Sequence, residues 1–475
     1  MAVIKAPYIN YTELDSNPLA TGEGSEIPIF IGTSTNTVSA ITRDNIKLCR
    51  NITQVKDAIG ENSGELYNKV RDFYKENSLR ILNGELDVAS PYVYVFDLGS
   101  NGSVADFKKA VHESKVKRES TCVAFTNYAT TSSLEWEEST LTTPKKVTET
   151  ITATGEVVSE PTETQITKEY ELVNNEDVAF SPLYLATLSD EYRAVIQTAL
   201  SGNKITPNYK TAFESAYSSD ATNLQITLMT AVANELKEET KTGMLRIGYF
   251  GVESQRTNET FDAYLDRIKN ITTSISSPRI ALIEAEDFGI SIARICSTPY
   301  YIEPGYDAYE SVETTQYKRF KERTPEERDA LFNAGLIFNE YDYTLPEITP
   351  RMCLGVSTAW GVMGTDYDNR VNDALLHARR NVDHQIRELF KVIAPQLKRN
   401  ETSVNLRQLN TELNLCLQSE VDLGRLQEYS IDIEEVSFNP YCLKISGRIT
   451  PVNSTLAIEF ENYVGAPYAI ATDYI

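Results

Sequence analysis

The chain has 475 residues, 68 of them acidic and 45 basic, for a formal net charge of -23; 41% are hydrophobic. That length and apolar content suffice for two to four domains with cores of their own, and exclude a disordered chain. The charge repels a phosphate backbone, which excludes nucleic acid as principal partner unless a basic patch is segregated. No apolar run approaches the ~20 residues that span a bilayer, and the first residues lack the basic-then-apolar pattern of a signal peptide. Synthesis and folding in the cytoplasm are therefore expected, without membrane insertion. Six scattered cysteines with no CxxC pair read as reduced core residues.

Residues 1–20 ("MAVIKAPYINYTELD…") show no helical apolar period, and Ile4, Tyr8, Ile9 and Tyr11 favour an extended arm. An unpaired strand needs a partner: another subunit's sheet, or its own domain. "IPIFIG" (27–32) then predicts a buried strand, and Leu66, Val70, Phe73 and Tyr74 fall at helical spacing. "PYVYVFDL" predicts strand, "SVADFKKAVHES" helix and "TCVAFTN" strand, an alternation that argues for an open α/β sheet over 21–129.

From about 130 to 180 the composition shifts to Thr and Glu. Alternation through Val147, Glu149 and Ile151, a turn at Gly155 and a second run through Thr164, Ile166 and Lys168 predict hairpins of an inserted β module, with a disordered linker as the alternative. The α/β pattern resumes over 181–289 with "NLQITLMTAVANELKEE", "MLRIGYFGV", "ETFDAYLDRIKNI" and "RIALIEA". The expected fold is thus mixed α+β / α/β and multidomain: a split α/β domain interrupted by a small β module, followed by a C-terminal α+β domain at 290–460.

In that last region Thr324 as N-cap, Pro325, Glu327 and Gly335 agree on one short helix. A long helix is expected from roughly Asn369 to Ala394, with Val371, Leu375, Ala378, Val382, Ile386, Leu389 and Ile393 on one stripe. A further helix follows around "NLRQLNTELNLCLQSEVDLGRL", then alternating strand residues, and an arm at 461–475 that includes Tyr468, Ile470 and Ile475.

Catalytic motifs are missing from the sequence. "TGEGSEI" fails the dinucleotide fingerprint because Ile27 replaces the third glycine, and neither GxxxxGK[ST] nor GxSxG occurs. His377 and His384 with Asp373 are a weak metal set without HExxH. Glu284, Glu286 and Asp287 follow a strand, where α/β enzymes place catalytic groups, or form a solvated turn. No catalytic, cofactor-binding or metal residue is assigned.

Taken together, "IKAPYINYTELD", "IPIFIGTS", "YIEPGYDAYESVE" with "RTPEERDALFNAGLIFNE", "NRVNDALLHARRNVDHQIRELFKVIAP" and "LKISGRITPVNSTLAIEFE" resemble, in order, segments of the contractile tail sheath proteins of bacteriophages and phage-tail-like particles. Ala6-Pro7-Tyr8 departs from the family's opening Pro-Gly, and the tail after Phe460 is longer than its usual arm. The resemblance implies a non-enzymatic virion or particle subunit, assembled in the host bacterial cytoplasm and needing no cofactor. It implies stacked rings around a tail tube, joined by strand exchange through the arms. Baseplate and tail terminator proteins are the further implied partners, and contraction that drives the tube through the target envelope is the implied action. Arg379, Arg380, Arg387, Lys391, Lys398 and Arg399 concentrate positive charge in an acidic chain, and are candidates for a tube-facing surface or a solvated, ion-paired helix face. An α/β enzyme with an unrecognised loop-based site, or a non-contractile shell or capsid lattice protein, are the alternative readings.

Overall fold

The computed structural model describes residues 26–452 except 62–63, 83–91, 100–101, 127–135, 145–149, 152–156, 159–163, 173–189, 212–220, 241–242, 256–258, 306–321, 343–348, 363–373, 397–402 and 436–442. Both arms lie outside the described residues, and with them Ile4, Tyr8, Ile9, Tyr11, Tyr468, Ile470 and Ile475.

A seven-stranded sheet organises the chain. Strands β1 (Ile27–Gly32), β2 (Ile46–Cys49), β3 (Val93–Asp97), β4 (Ser120–Phe125), β9 (Ile247–Val252), β10 (Ile280–Glu284) and β11 (Leu336–Ile337) run in the order β11-β10-β9-β4-β1-β3-β2. All neighbours are parallel except β2, which caps one edge antiparallel to β3. Strands from both sides of the Thr/Glu-rich segment pair directly, β4 with β9, so one sheet is built from two separated stretches.

Helices cover both faces, which is why β1, β3, β9 and β10 read as continuous apolar runs and are buried throughout. Alternate residues of a strand serve opposite cores. Phe30, Val93 and Val95 point to one, Ile29, Ile31 and Phe96 to the other. The first core is closed by α1 (Ile52–Ile59), α2 (Glu65–Leu82) and, much later in the chain, α7 (Phe288–Ser297). The second is closed by α3 (Val104–Ser114), α5 (Ala221–Thr240), α6 (Phe261–Ile275) and α8 (Pro325–Asn333). α2 and α7 meet so closely that a Cβ on Gly289 would overlap the Lys69 carbonyl oxygen.

The sheet layer runs past the expected boundary at residue 289. β11 pairs with β10, Leu331 of α8 enters the second core, and Val356, Trp360 and Leu376 enter the first. Among the described residues, the apolar groups of this stretch pack into the two cores of the sheet.

The Thr/Glu-rich segment forms a long antiparallel hairpin, β5 (Trp136–Pro144) with β8 (Thr164–Leu172), with a short pair β6 (Thr150–Ile151) and β7 (Val157–Val158) between them. Beyond it lies α4 (Asp190–Leu200), and Tyr170 and Ile205 exchange backbone hydrogen bonds of 2.8 Å, so the hairpin is held by chain that follows residue 189. Two further hairpins complete the described structure: β12 (Asn339–Asp342) with β13 (Thr349–Met352), and β14 (Leu426–Glu435) with β15 (Leu443–Pro451). Before the last come α9 (Leu376–Ile393) and α10 (Ser403–Asp422).

Candidate assembly site

β14 and β15 form a two-stranded sheet with register Tyr429↔Ile449, Ile431↔Gly447 and Ile433↔Ile445. Tyr429, Ile431, Ile433, Ile445 and Ile449 are half-buried, while Glu428, Ser430 and Asp432 between them are exposed. The alternation gives one apolar face, which lies towards α10: the Tyr429 hydroxyl donates to the Asn414 carbonyl at 3.1 Å. Among the described residues neither outer edge has a third strand. A sheet of two strands is marginal by itself, and its free edges present rows of unpaired N–H and C=O groups to any extended segment that arrives. Gly447 is required where the strands touch, since a Cβ there would overlap the Ser430 carbonyl oxygen.

α9 holds this hairpin region to the α/β layers, and it does so through charge. Asp383, 2% exposed, accepts two hydrogen bonds from Arg279 (2.8 and 3.0 Å) and one from Arg379 (2.8 Å). Arg279 also reaches the Arg246 carbonyl at the start of the sheet's central strands (3.2 Å). Arg387 donates to the Leu245 carbonyl (3.0 Å), and burial together with nearby Arg279 lowers its affinity for a proton. On the hairpin side, Asn381 donates to the Arg425 carbonyl (2.8 Å) and Gln385 to Glu420 (2.9 Å), which also accepts from the Tyr300 hydroxyl (2.8 Å).

The six basic candidates therefore do not form one surface. Arg380 leaves the set as a correction: it is fully buried, donates to the Thr298 carbonyl at 2.6 Å and pairs with Glu26 at 3.3 Å. Arg379 and Arg387 are half-buried and tied inward, and Lys391 is exposed beside Glu388. Lys398 and Arg399 lie outside the described residues. The buried residues of the first half of α9 are mostly polar, His377, Arg380, Asn381, Asp383 and Gln385 beside apolar Leu376 and Ala378. The apolar stripe Val382, Ile386 and Leu389 is only half covered.

Other candidates resolve into internal contacts. His377 bonds Glu303 (3.0 Å), whereas His384 stacks on Tyr300 with ring centroids 3.7 Å apart; Asp373 lies outside the described residues. Burial, with Arg387 adjacent, pushes His384 down to about 4. Glu284 and Asp287 are not a solvated turn. Glu284 accepts from both Arg323 (2.6 and 2.8 Å) and Tyr264 (3.1 Å), and burial next to Glu284 pushes Asp287 up to about 7. Sequence reasoning missed the Arg279–Asp383 and Arg380–Glu26 pairs because their members lie far apart in the chain, and no local spacing marks them.

No protein-family description matches the chain, and no curated protein does. Solved structures do, over nearly its whole length. It is similar to the helical sheath of the anti-feeding prophage (AFP) in its contracted state, with a TM-score of 0.52 and 10% identity over 97% of this chain and 99% of the other. A chain of the AFP baseplate superposes with a TM-score of 0.53 and 10% identity, over 98% and 100%. The contracted PVC sheath complex of an extracellular contractile injection system gives 0.50 and 11%, over 98% and 99%. This chain carries the fold of the sheath proteins of contractile injection particles.

Proposed function

We propose that the chain is the repeating subunit of a contractile sheath, polymerising as stacked rings around a tail tube and contracting to drive that tube through a target envelope. The observation that carries the proposal is the end-to-end match to sheath assemblies of two contractile systems, which leaves no large part of this chain outside the shared fold. The open-edged β14–β15 sheet supplies the means of linkage. Arms 1–20 and 461–475 of neighbouring subunits add to its two edges, Ile4, Tyr8, Ile9, Tyr11, Tyr468, Ile470 and Ile475 contributing the strand residues.

In this reading residues 21–129 and 181–289 are halves of one α/β domain, 290–460 is the sheath domain, whose first part, through β11 and Leu376, shares the α/β cores, and 130–180 is an acidic module that keeps the polymer soluble. The tube, a baseplate and a terminator are the partners. Of the basic candidates, Lys391, with Lys398 and Arg399, remains for a tube-facing surface, Arg379 and Arg387 being tied inward; charge reversal at Lys391 and co-assembly with tube test it. The particle is a phage tail or a phage-tail-like device. A catalytic reading of Glu284 and Asp287 gains no support from the geometry, because Glu284 is already taken up by Arg323 and Tyr264.

The test is negative-stain electron microscopy of the full-length chain beside a form lacking 1–20 and 461–475, each with and without tube protein. Hollow, striated tubes that require the arms are the expected result. Monodisperse particles from both forms, with or without tube, would overturn it.

A further inference from the structure

Where β1 begins, three potential metal ligands converge inside the first core. The Cys122 and Cys296 sulfurs are 3.5 Å apart, and a Glu26 carboxylate oxygen completes a group whose atoms all lie within 4.8 Å of one another. All three residues are buried. They come from the entry to β1, from β4 and from the end of α7, and the Glu26 backbone N–H donates to the Cys296 carbonyl at 2.8 Å, which fixes two of them together.

Two buried oxygens at this place lack partners among the described residues. The second Glu26 carboxylate oxygen makes no hydrogen bond, and neither does the Tyr249 hydroxyl, which lies within electrostatic reach of Glu26, Cys122 and Cys296. Buried polar atoms are rarely left so, because each carries its desolvation cost unrelieved. A ligand that accepts lone pairs would satisfy both.

We propose that Glu26, Cys122 and Cys296 bind a thiophilic divalent cation of the zinc class, with the Tyr249 hydroxyl or a water as fourth donor. The sulfur separation suits this. Bonds of about 2.3 Å at a tetrahedral centre place two sulfurs roughly 3.7 Å apart, close to the separation present, whereas a disulfide closes to about 2.05 Å. Rotation of the Glu26 carboxylate brings its oxygen the remaining distance.

Charge balance supports it too. With thiols, the pocket holds the Glu26 carboxylate against the Arg380 guanidinium, 3.3 Å away. Loading exchanges two thiol protons for one dication, so the sum of charges is zero in both states. Arg380 is then the counter-charge for a centre with three anionic ligands, which explains why a cation is tolerated beside a cation.

The test uses the full-length chain, unfolded and refolded under a reducing phosphine with Co2+ as probe, then exchanged with Zn2+. The expected result is one Co2+ per chain with sulfur-to-cobalt charge-transfer absorption. That absorption is lost in Cys122→Ser and in Cys296→Ser, retained in Cys416→Ser, and in Glu26→Gln needs at least about tenfold more metal. X-ray absorption of Zn2+-loaded wild type guards against variants that do not fold: two sulfurs in the zinc shell support the site. A shell of nitrogen and oxygen only, absorption that survives either cysteine substitution, a folded wild type that takes up no metal, or a Cys122–Cys296 disulfide in its place would each overturn it.

Discussion

Asp383→Ala removes the carboxylate on which α9 is hung. Asp383 is 2% exposed and accepts from Arg279 twice and from Arg379 once, so the substitution strands the Arg279 guanidinium, 8% exposed, with only the Arg246 carbonyl at 3.2 Å. Breaking a buried pair from one side costs about 3–5 kcal/mol, mostly from the charge left behind. Domains are stable by about 5–15 kcal/mol, so the loss is a large part of the whole. Urea unfolding followed by tryptophan fluorescence reads it directly, because Trp360 is buried against Phe332, with ring centroids 5.0 Å apart, in the core that α9 helps to close. The Arg279→Met/Asp383→Leu double variant removes both charges and recovers most of the stability, since an apolar pair of similar volume replaces a desolvated ion pair. A loss under about 1 kcal/mol for Asp383→Ala, the value of an exposed pair, would refute the view that this contact locks the helix to the sheet.

Asp287 gives a pH signature. Its carboxyl is held protonated up to about 7 in the folded chain, against 3.8 ordinarily, by burial and by Glu284, with Glu286 adding to the shift and Arg323 and Asn339 opposing it. The unfolded chain releases this proton first, so stability from this group falls as pH rises from about 4 to 7, by up to about 4 kcal/mol at 1.36 kcal/mol per pH unit. Asp287→Asn matches wild type near pH 4 and unfolds at higher urea near pH 8; parallel pH profiles would refute this. His384, held down to about 4 against 6.5, acts in the opposite sense: stability is lost as pH falls from 6.5 towards 4, and His384→Phe, which keeps the stack on Tyr300, flattens that limb of the profile. Gly289→Ala forces α7 off the Lys69 carbonyl and lowers the unfolding free energy by about 1–3 kcal/mol of overpacking, read as a lower urea midpoint, with no change expected for Ala at the unhindered Gly424 beyond the cost of its positive φ. Gly447→Val splays β14 from β15, and is expected to abolish tube formation in electron microscopy while the Trp360 unfolding transition stays within about 1 kcal/mol.

What the sequence made legible was local. Thr324, Pro325 and Glu327 announce a helix start, and in the structure Thr324 accepts from the Glu327 backbone at 3.2 Å while Glu327 accepts from the Thr324 N–H at 3.0 Å. Runs such as 27–32 and 93–97 are uniformly apolar because both faces are covered, which identifies them as parallel interior strands. Short β2 escaped notice, since "IKLC" buries only its two ends at a sheet edge, and the strand Trp136–Pro144 that pairs with Thr164–Leu172 was not singled out, because its exposed polar residues carry little apolar alternation. Arg380 was misplaced for a general reason. Consecutive arginines on a helix point about 100° apart, so Arg379 and Arg380 cannot share a surface, and the partner that draws Arg380 inward, Glu26, enters at the opposite end of the chain. The strand order likewise rests on pairings between distant stretches, as far apart as Cys122 with Ile247, which composition and periodicity do not encode.

These two kinds of contact bear on how the proposed sheath subunit can move. The side-chain ties of α9 to the α/β layers are buried or half-buried: Arg279 to Asp383, Arg380 to Glu26 and Thr298, Arg387 to Leu245. Such networks have one satisfied arrangement, and a partial slide would leave guanidinium groups desolvated and unpaired, so the helix and the sheet turn together as one body. The β14–β15 sheet is built differently, with a half-covered apolar face and, among the described residues, open edges; in the proposed sheath, strand addition there would hold neighbours by backbone hydrogen bonds whose energy does not depend on the orientation of the bodies behind them. In the proposed sheath the energy released on contraction therefore resides between subunits, in the surfaces the rigid bodies present to one another, while the hairpins keep the lattice continuous. Substitutions in the α9 anchor should lower subunit stability without changing the contracted lattice, and substitutions on body-to-body surfaces should shift the balance between extended and contracted sheaths at unchanged subunit stability.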